Sequence, residues 1–127
     1  MAQLEDIHRA VINQSEWVAI ATSGPDGPHL VATWGDYVRD LGISDNRILI
    51  PAGRLQKTEE NLRRDNRIEL LFASRQVQGT RGPGQGCCVS GTACFEFIGP
   101  TMDRVKARFP WARAVLVVDA QKFQLQL

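Results

Sequence analysis

Long hydrophobic runs are missing from this sequence. The two longest, Trp17 to Ala21 and Ala114 to Val118, have five residues each, against the roughly 18 needed to cross a bilayer as a helix. No membrane-spanning helix is expected. Cysteine is scarce and odd in number, at three, and Cys87 and Cys88 are adjacent, a pattern of buried thiols in a reducing compartment and not of a disulfide framework. Histidine is limited to His8 and His29, and no cysteine pair has C-x-x-C spacing, so no metal site is expected. An excess of either charge is lacking too, since 15 Lys+Arg stand against 14 Asp+Glu for a formal +1. There is thus no bulk drive toward nucleic acid or an anionic membrane, and any bound anion must be held locally. Only three of the basic residues are lysines, Lys57, Lys106 and Lys122, so a lysine inside a motif stands out. The start, MAQLEDIHRA, carries an acidic pair where a signal peptide has a basic end and an apolar centre, and a cytoplasmic location is expected.

What is present is an ordinary globular composition, with 43% apolar and 23% charged residues over 127 positions. A chain of this size is one domain, 1–127, that buries about two thirds of its surface. Leu4, Ile7, Val11 and Ile12 recur at helical spacing within residues 2–14 and predict an amphipathic helix. WVAIATS (17–23) and HLVATW (29–34) flank the turn GPDGP and predict a hairpin. RILIPA (47–52) is a third strand, followed by TEENLRRDN (58–66) as a short helix with Thr58 at its N-cap. IELLFA (68–73) returns as a strand, QGTRGPGQG (78–86) reads as a loop, and CCVSGTACFEF (87–97) as a long strand bent at Gly91. Pro100 and Thr101 open a further helix, RAVLVVD (113–119) is the last strand, and QKFQLQL alternates polar and apolar to the end. About six strands with short helices and no βαβ rhythm favour a mainly β fold, an antiparallel barrel.

The motif with most chemistry is PAGRLQKTEEN, residues 51–61. It fails as a nucleoside triphosphate loop because Gln56 stands where G-x-x-x-x-G-K-[ST] needs glycine. What remains is a glycine turn entering a helix whose first residues are Lys57 and Thr58, a ready phosphate site alongside the plainer reading of a capped surface helix. The glycines of GTRGPGQG lead into a strand, where a dinucleotide fingerprint needs a helix. Trp34, Tyr37 and Trp111 lie in polar or turn-flanked settings that suit stacking on a flat ring as well as core packing. No nucleophile or acid–base pair is assigned, so any chemistry falls to a cofactor.

The succession VAIAT, GPHLV-T-W, a strand ending in Pro-x-Gly, KTE-N, GPG-G and WARA-LV resembles the small FMN-binding proteins of sulfate-reducing bacteria. These belong to the FMN-binding split-barrel superfamily, which includes pyridoxamine 5′-phosphate oxidases. The resemblance runs from about Val18 to Val118. It implies a six-stranded antiparallel Greek-key split barrel, a homodimer and one non-covalent FMN per subunit. It also implies FMN phosphate at Lys57 and Thr58 with Thr33, and a ring edge against Pro51, Ala52 and Gly53. Trp34 and Tyr37 would lie beside the ring, with Trp111 and Leu127 reaching over from the partner. Ser15 stands where the family carries a glutamate, and alternation places Thr33 and Trp34 on opposite faces of their strand. The tail QLQL lacks the Arg- and Trp-rich ending of the oxidases. The expectation is therefore an FMN electron-transfer protein with an unknown redox partner protein. The alternatives are a flavin reductase or oxidase using NAD(P)H or a small substrate, and a flavin-free binding module.

Overall fold

The computed structural model describes residues 3–127. Ala2, where the expected first helix begins, lies outside the described residues. In chain order the elements are α1 (Asp6–Gln14), β1 (Trp17–Gly24), β2 (Gly27–Trp34), α2 (Gly35–Leu41), β3 (Ile43–Ser44), β4 (Arg47–Ala52), α3 (Gln56–Arg64), β5 (Arg67–Gln78), β6 (Pro83–Glu96), α4 (Pro100–Arg108) and β7 (Ala114–Leu125).

All strands join one antiparallel sheet in the order β2-β1-β5-β6-β7-β4-β3. The mainly β, antiparallel expectation holds. Six strands and a closed barrel are not confirmed, because the sheet has seven strands among the described residues and its edges, β2 and β3, do not pair. The added strand is the two-residue β3, folded onto β4 by a turn in which Asp45 and Asn46 take φ of 54° and 60°. Such mirror-type turns match the twist of a hairpin, and Asp and Asn tolerate the left-handed region best after glycine.

Alternation divides the core into two. On one face Val18, Ile20, Leu70, Phe72, Ile48, Ile50, Leu116 and Val118 pack with Val11 and Ile12 of α1. On the other, Leu49, Val115 and Val117 pack under Met102, Val105 and Phe109 with Tyr37 alongside. That second layer explains the unbroken apolar run 114–118: β7 is buried on both faces. The second layer does not reach the hairpin end of the sheet. There Trp17 pairs with Trp34 and Ala21 with Leu30, and Trp17, Trp34 and Leu30 stay exposed.

Other differences have local causes. The expected loop 78–86 shrinks to residues 79–82, because β5 and β6 keep pairing out to Gln78 and Pro83. Residues 35–41, to which the sequence assigns no element, form α2, whose seven residues bury Gly35, Val38 and Leu41. The bend at Gly91 is a register shift between Ser90 and Gly91, where a Cβ would lie 2.0 Å from the Asp119 carbonyl oxygen. Cys87 faces the core and Cys88 does not, as alternation requires, and all three cysteines are free. Burial, aided by neighbouring Cys88, pushes the Cys87 thiol up to about 11.

Candidate functional site

The site forms where β4 leaves the sheet. Gly53, Arg54 and Leu55 turn the chain from Ala52 into α3, and Leu55 takes φ 67° and ψ 32°. Left-handed backbone is costly for a leucine, on the order of 1–2 kcal/mol. It lets the Leu55 carbonyl accept the first helical bond, from the Glu59 N–H at 3.0 Å. Helix α3 therefore begins at Gln56, and Thr58 is not the N-cap but the third helical residue. The N–H groups of Gln56, Lys57 and Thr58 precede that first bond and carry the positive end of the helix dipole.

Turning Thr58 into the helix buries it. It is 1% exposed, and its Oγ1 has no hydrogen-bond partner. One turn later Asn61, equally buried, donates from Nδ2 to Thr22 Oγ1 at 3.0 Å and fixes α3 to β1. Lys57, beside Thr58, is exposed.

Arg113, at the entry to β7, straps this turn down. Its N–H donates to the Ala52 carbonyl at 2.9 Å, its Nη2 to the Arg54 carbonyl at 2.6 Å, and its Nη1 pairs with Glu59 Oε1 at 2.9 Å. Glu59 also pairs with Arg63 one turn along α3. Among the described residues only two buried side-chain polar atoms lack a partner, Thr58 Oγ1 and Arg113 Nε. Both belong to this one corner, where buried polar groups left open call for an explanation.

The aromatic side of the corner is Trp111. A Cβ on Gly53 would lie 3.2 Å from Trp111 Cε3, so a larger residue there would push the indole back by a few tenths of an ångström. The indole meets Tyr37 at 5.4 Å and Phe109 at 5.7 Å between centroids, and Tyr37 meets Phe109 edge-on at 5.1 Å. Half of Trp111, 50%, remains exposed. Tyr37 reaches this cluster from α2 and not from a strand end.

One chain thus brings together Ala52, Gly53, Lys57, Thr58, Tyr37 and Trp111, with Pro51 buried just before them in β4, paired with Val115. Thr33 shares the hairpin face that carries Thr22, the side on which α3 is bonded, because it pairs with Val18. Trp34 points to the other face, opposite Trp17, and is 53% exposed. Leu127 is at the far end of the β6/β7 ladder, which runs from the Cys87–Leu125 pair to the Glu96–Val115 pair beside the site. Trp111 sits against its own chain's Gly53. Ser15, at the position of the family glutamate, is buried and donates to the Val11 carbonyl at 2.6 Å. Arg113 and Glu59 escaped the sequence reading because they lie on distant segments, and their only signal is charge. Among the described residues there is no cluster that could hold a metal ion and no helix long and apolar enough to cross a membrane.

Known proteins share this framework. Residues 4–126 match a family model described as pyridoxamine 5′-phosphate oxidase. An FMN-binding protein of Nitratidesulfovibrio vulgaris is 47% identical over 108 residues, 85% of this chain and 86% of that one. Among solved structures, HupZ of Group A Streptococcus superposes with a TM-score of 0.79 at 17% identity, covering 97% of this chain and 94% of its own. An FMN-binding protein of Syntrophomonas wolfei does so with a TM-score of 0.70 at 16% identity, covering 96% and 85%. With the family model spanning nearly every described residue, the chain belongs to the pyridoxamine 5′-phosphate oxidase family.

Proposed function

We propose that the protein binds one non-covalent FMN per subunit and works as an electron carrier, with its site completed at a homodimer interface. The observation that carries this reading is the buried, unpartnered Thr58 hydroxyl beside Lys57 and the open N–H groups of α3. That donor set suits a phosphate: backbone N–H groups, a dipole end, a hydroxyl and one ammonium. A nearly neutral chain needs no basic surface to hold it. The name carried by the Nitratidesulfovibrio relative supports FMN as the phosphate's owner.

Lys57 and Thr58 would hold the phosphate with Thr33, while Gly53, Ala52 and Pro51 border the ring and Tyr37 and Trp111 flank it. When bound, FMN supplies the redox chemistry, and the protein supplies orientation and local electrostatics. Carrier function is preferred to substrate turnover because the side chains at the ring end are aromatic. The charged groups next to them, Glu59 and Arg113, are committed to each other. The uncovered hairpin face supports the dimer, since Trp17, Trp34 and Leu30 form an exposed apolar surface that a second copy would bury. A two-fold axis would also bring the exposed Trp34 and Leu127 of one copy toward the site of the other. Three free thiols fit a cytoplasmic location.

Adding FMN to the purified protein should give a yellow, stoichiometric complex of one flavin per chain that elutes as a dimer. Anaerobic mixing of that complex with NADH or NADPH should give slow, non-saturating reduction. Rapid, saturable reduction would replace the carrier by a reductase, and a protein that takes up no FMN would end the flavin reading altogether.

A further inference from the structure

We propose that Arg113 is a positioning residue that keeps the ring end and the phosphate end of the site in register and neutralises the acid beside the phosphate. This rests on reading the start of α3 as the phosphate turn. The two ends of the site lie on either side of a turn, Gly53 to Leu55, whose first two residues are exposed and whose third is strained. The turn has little to hold it in itself. Arg113 reaches it from another part of the chain and bonds three successive points: the strand exit at Ala52, the turn at Arg54 and the helix at Glu59. A planar guanidinium with donors in fixed directions can hold two of these points at once, and a lysine ammonium cannot hold them in the same geometry.

The charge of Glu59 gives the second reason. Glu59 is 8% exposed and lies in the first turn of α3, the turn that would receive the phosphate. Left uncompensated there, it would repel a phosphate in a poorly screened setting. Arg63 offsets it from the solvent side, whereas Arg113 is the less exposed of its two partners. Loss of Arg113 therefore both frees the turn and exposes the ligand to the acid. Riboflavin, which has the same ring and no phosphate, feels much less of the second effect.

Fluorescence titration of the full-length protein with FMN and with riboflavin reads this out as the ratio of the two dissociation constants. Arg113→Gln should lower the preference for FMN by about tenfold or more, the size of a lost charge-assisted contact. Combining it with Glu59→Gln should recover most of that loss, because the unpaired acid is gone. Arg113→Lys should lose less than Arg113→Gln, and it decides the matter if the glutamine variant does not fold. A role confined to stability would weaken both ligands in parallel and leave the ratio unchanged, which would overturn the proposal. Lys57→Ala separates the two layers. If it collapses the ratio while Arg113→Gln and Arg113→Lys do not, the phosphate turn stands and the role of Arg113 falls. If the unmodified protein shows no preference for FMN, the phosphate turn falls and the role of Arg113 falls with it.

Discussion

Gln85 and Thr58 are both buried polar residues, and the protein treats them in opposite ways. Gln85, 5% exposed at the Leu127 end of the β6/β7 ladder, uses both ends of its amide. Its Nε2 donates to the Leu127 carbonyl at 2.5 Å, and its Oε1 accepts from the N–H groups of Gly86, Gln126 and Leu127 at 2.9, 3.2 and 2.7 Å. Thr58, 1% exposed at the α3 end, bonds to nothing. A saturated buried amide is architecture: it fastens the last residues to the sheet. A buried hydroxyl left open lowers stability, and such a group persists where something from outside the chain completes it. On the proposed reading, one end of the molecule serves folding and the other binding.

Substitutions at the two ends should break in opposite directions. The largest effect is expected for Gln85→Ala, which strands the buried Gly86 N–H and releases the part-buried backbone of the last two residues, and should cost about 3 kcal/mol of stability by urea denaturation. It should leave the preference for FMN over riboflavin unaltered. Lys57→Ala should do the reverse, weakening FMN binding by about 2 kcal/mol in a titration while the denaturation midpoint of the ligand-free protein stays put. Thr58→Val keeps the shape and removes the open hydroxyl. The ligand-free protein should be as stable or slightly more so, and FMN should bind about 1 kcal/mol more weakly. A clear loss of stability in Thr58→Val would mean that the hydroxyl is satisfied within the chain, and the comparison would fail.

The smallest effect concerns the other end of α3, which is closed. Asp65 accepts hydrogen bonds from the side chain and N–H of Arg67, and this holds its carboxyl down at about 2 against an ordinary 3.8. A depressed folded-state value stabilises the fold above pH 4, and that contribution fades as the pH falls toward 2. Asp65→Asn should therefore lower stability slightly at pH 7 and flatten the stability-versus-pH curve between pH 4 and 2, where the two proteins converge.

Much of this was legible in the chain itself. The hairpin followed from apolar runs on either side of GPDGP, and the opposed faces of Thr33 and Trp34 from alternation alone. Lys57 and Thr58 were found from a glycine turn entering a helix. The start of that helix was misplaced at Thr58, because leucine gives no signal for the left-handed turn that Leu55 makes. The shift is consequential, since it moves Thr58 from a self-satisfied cap to a buried, open donor. Helix α2 was missed because seven residues with Val38 and Leu41 are too few to establish a period. Arg113 was invisible for a different reason: its importance lies in three contacts to residues far from it in sequence. The seventh strand was missed because β3 has two residues, below the length at which any pattern can register.

The central claim is that the start of α3 is a dedicated phosphate site, and paired titrations of the unmodified protein with FMN and riboflavin under identical salt and pH test it most directly. FMN should bind tighter than riboflavin by about tenfold or more, with the difference shrinking as salt is raised. Equal affinities for the two flavins would contradict it.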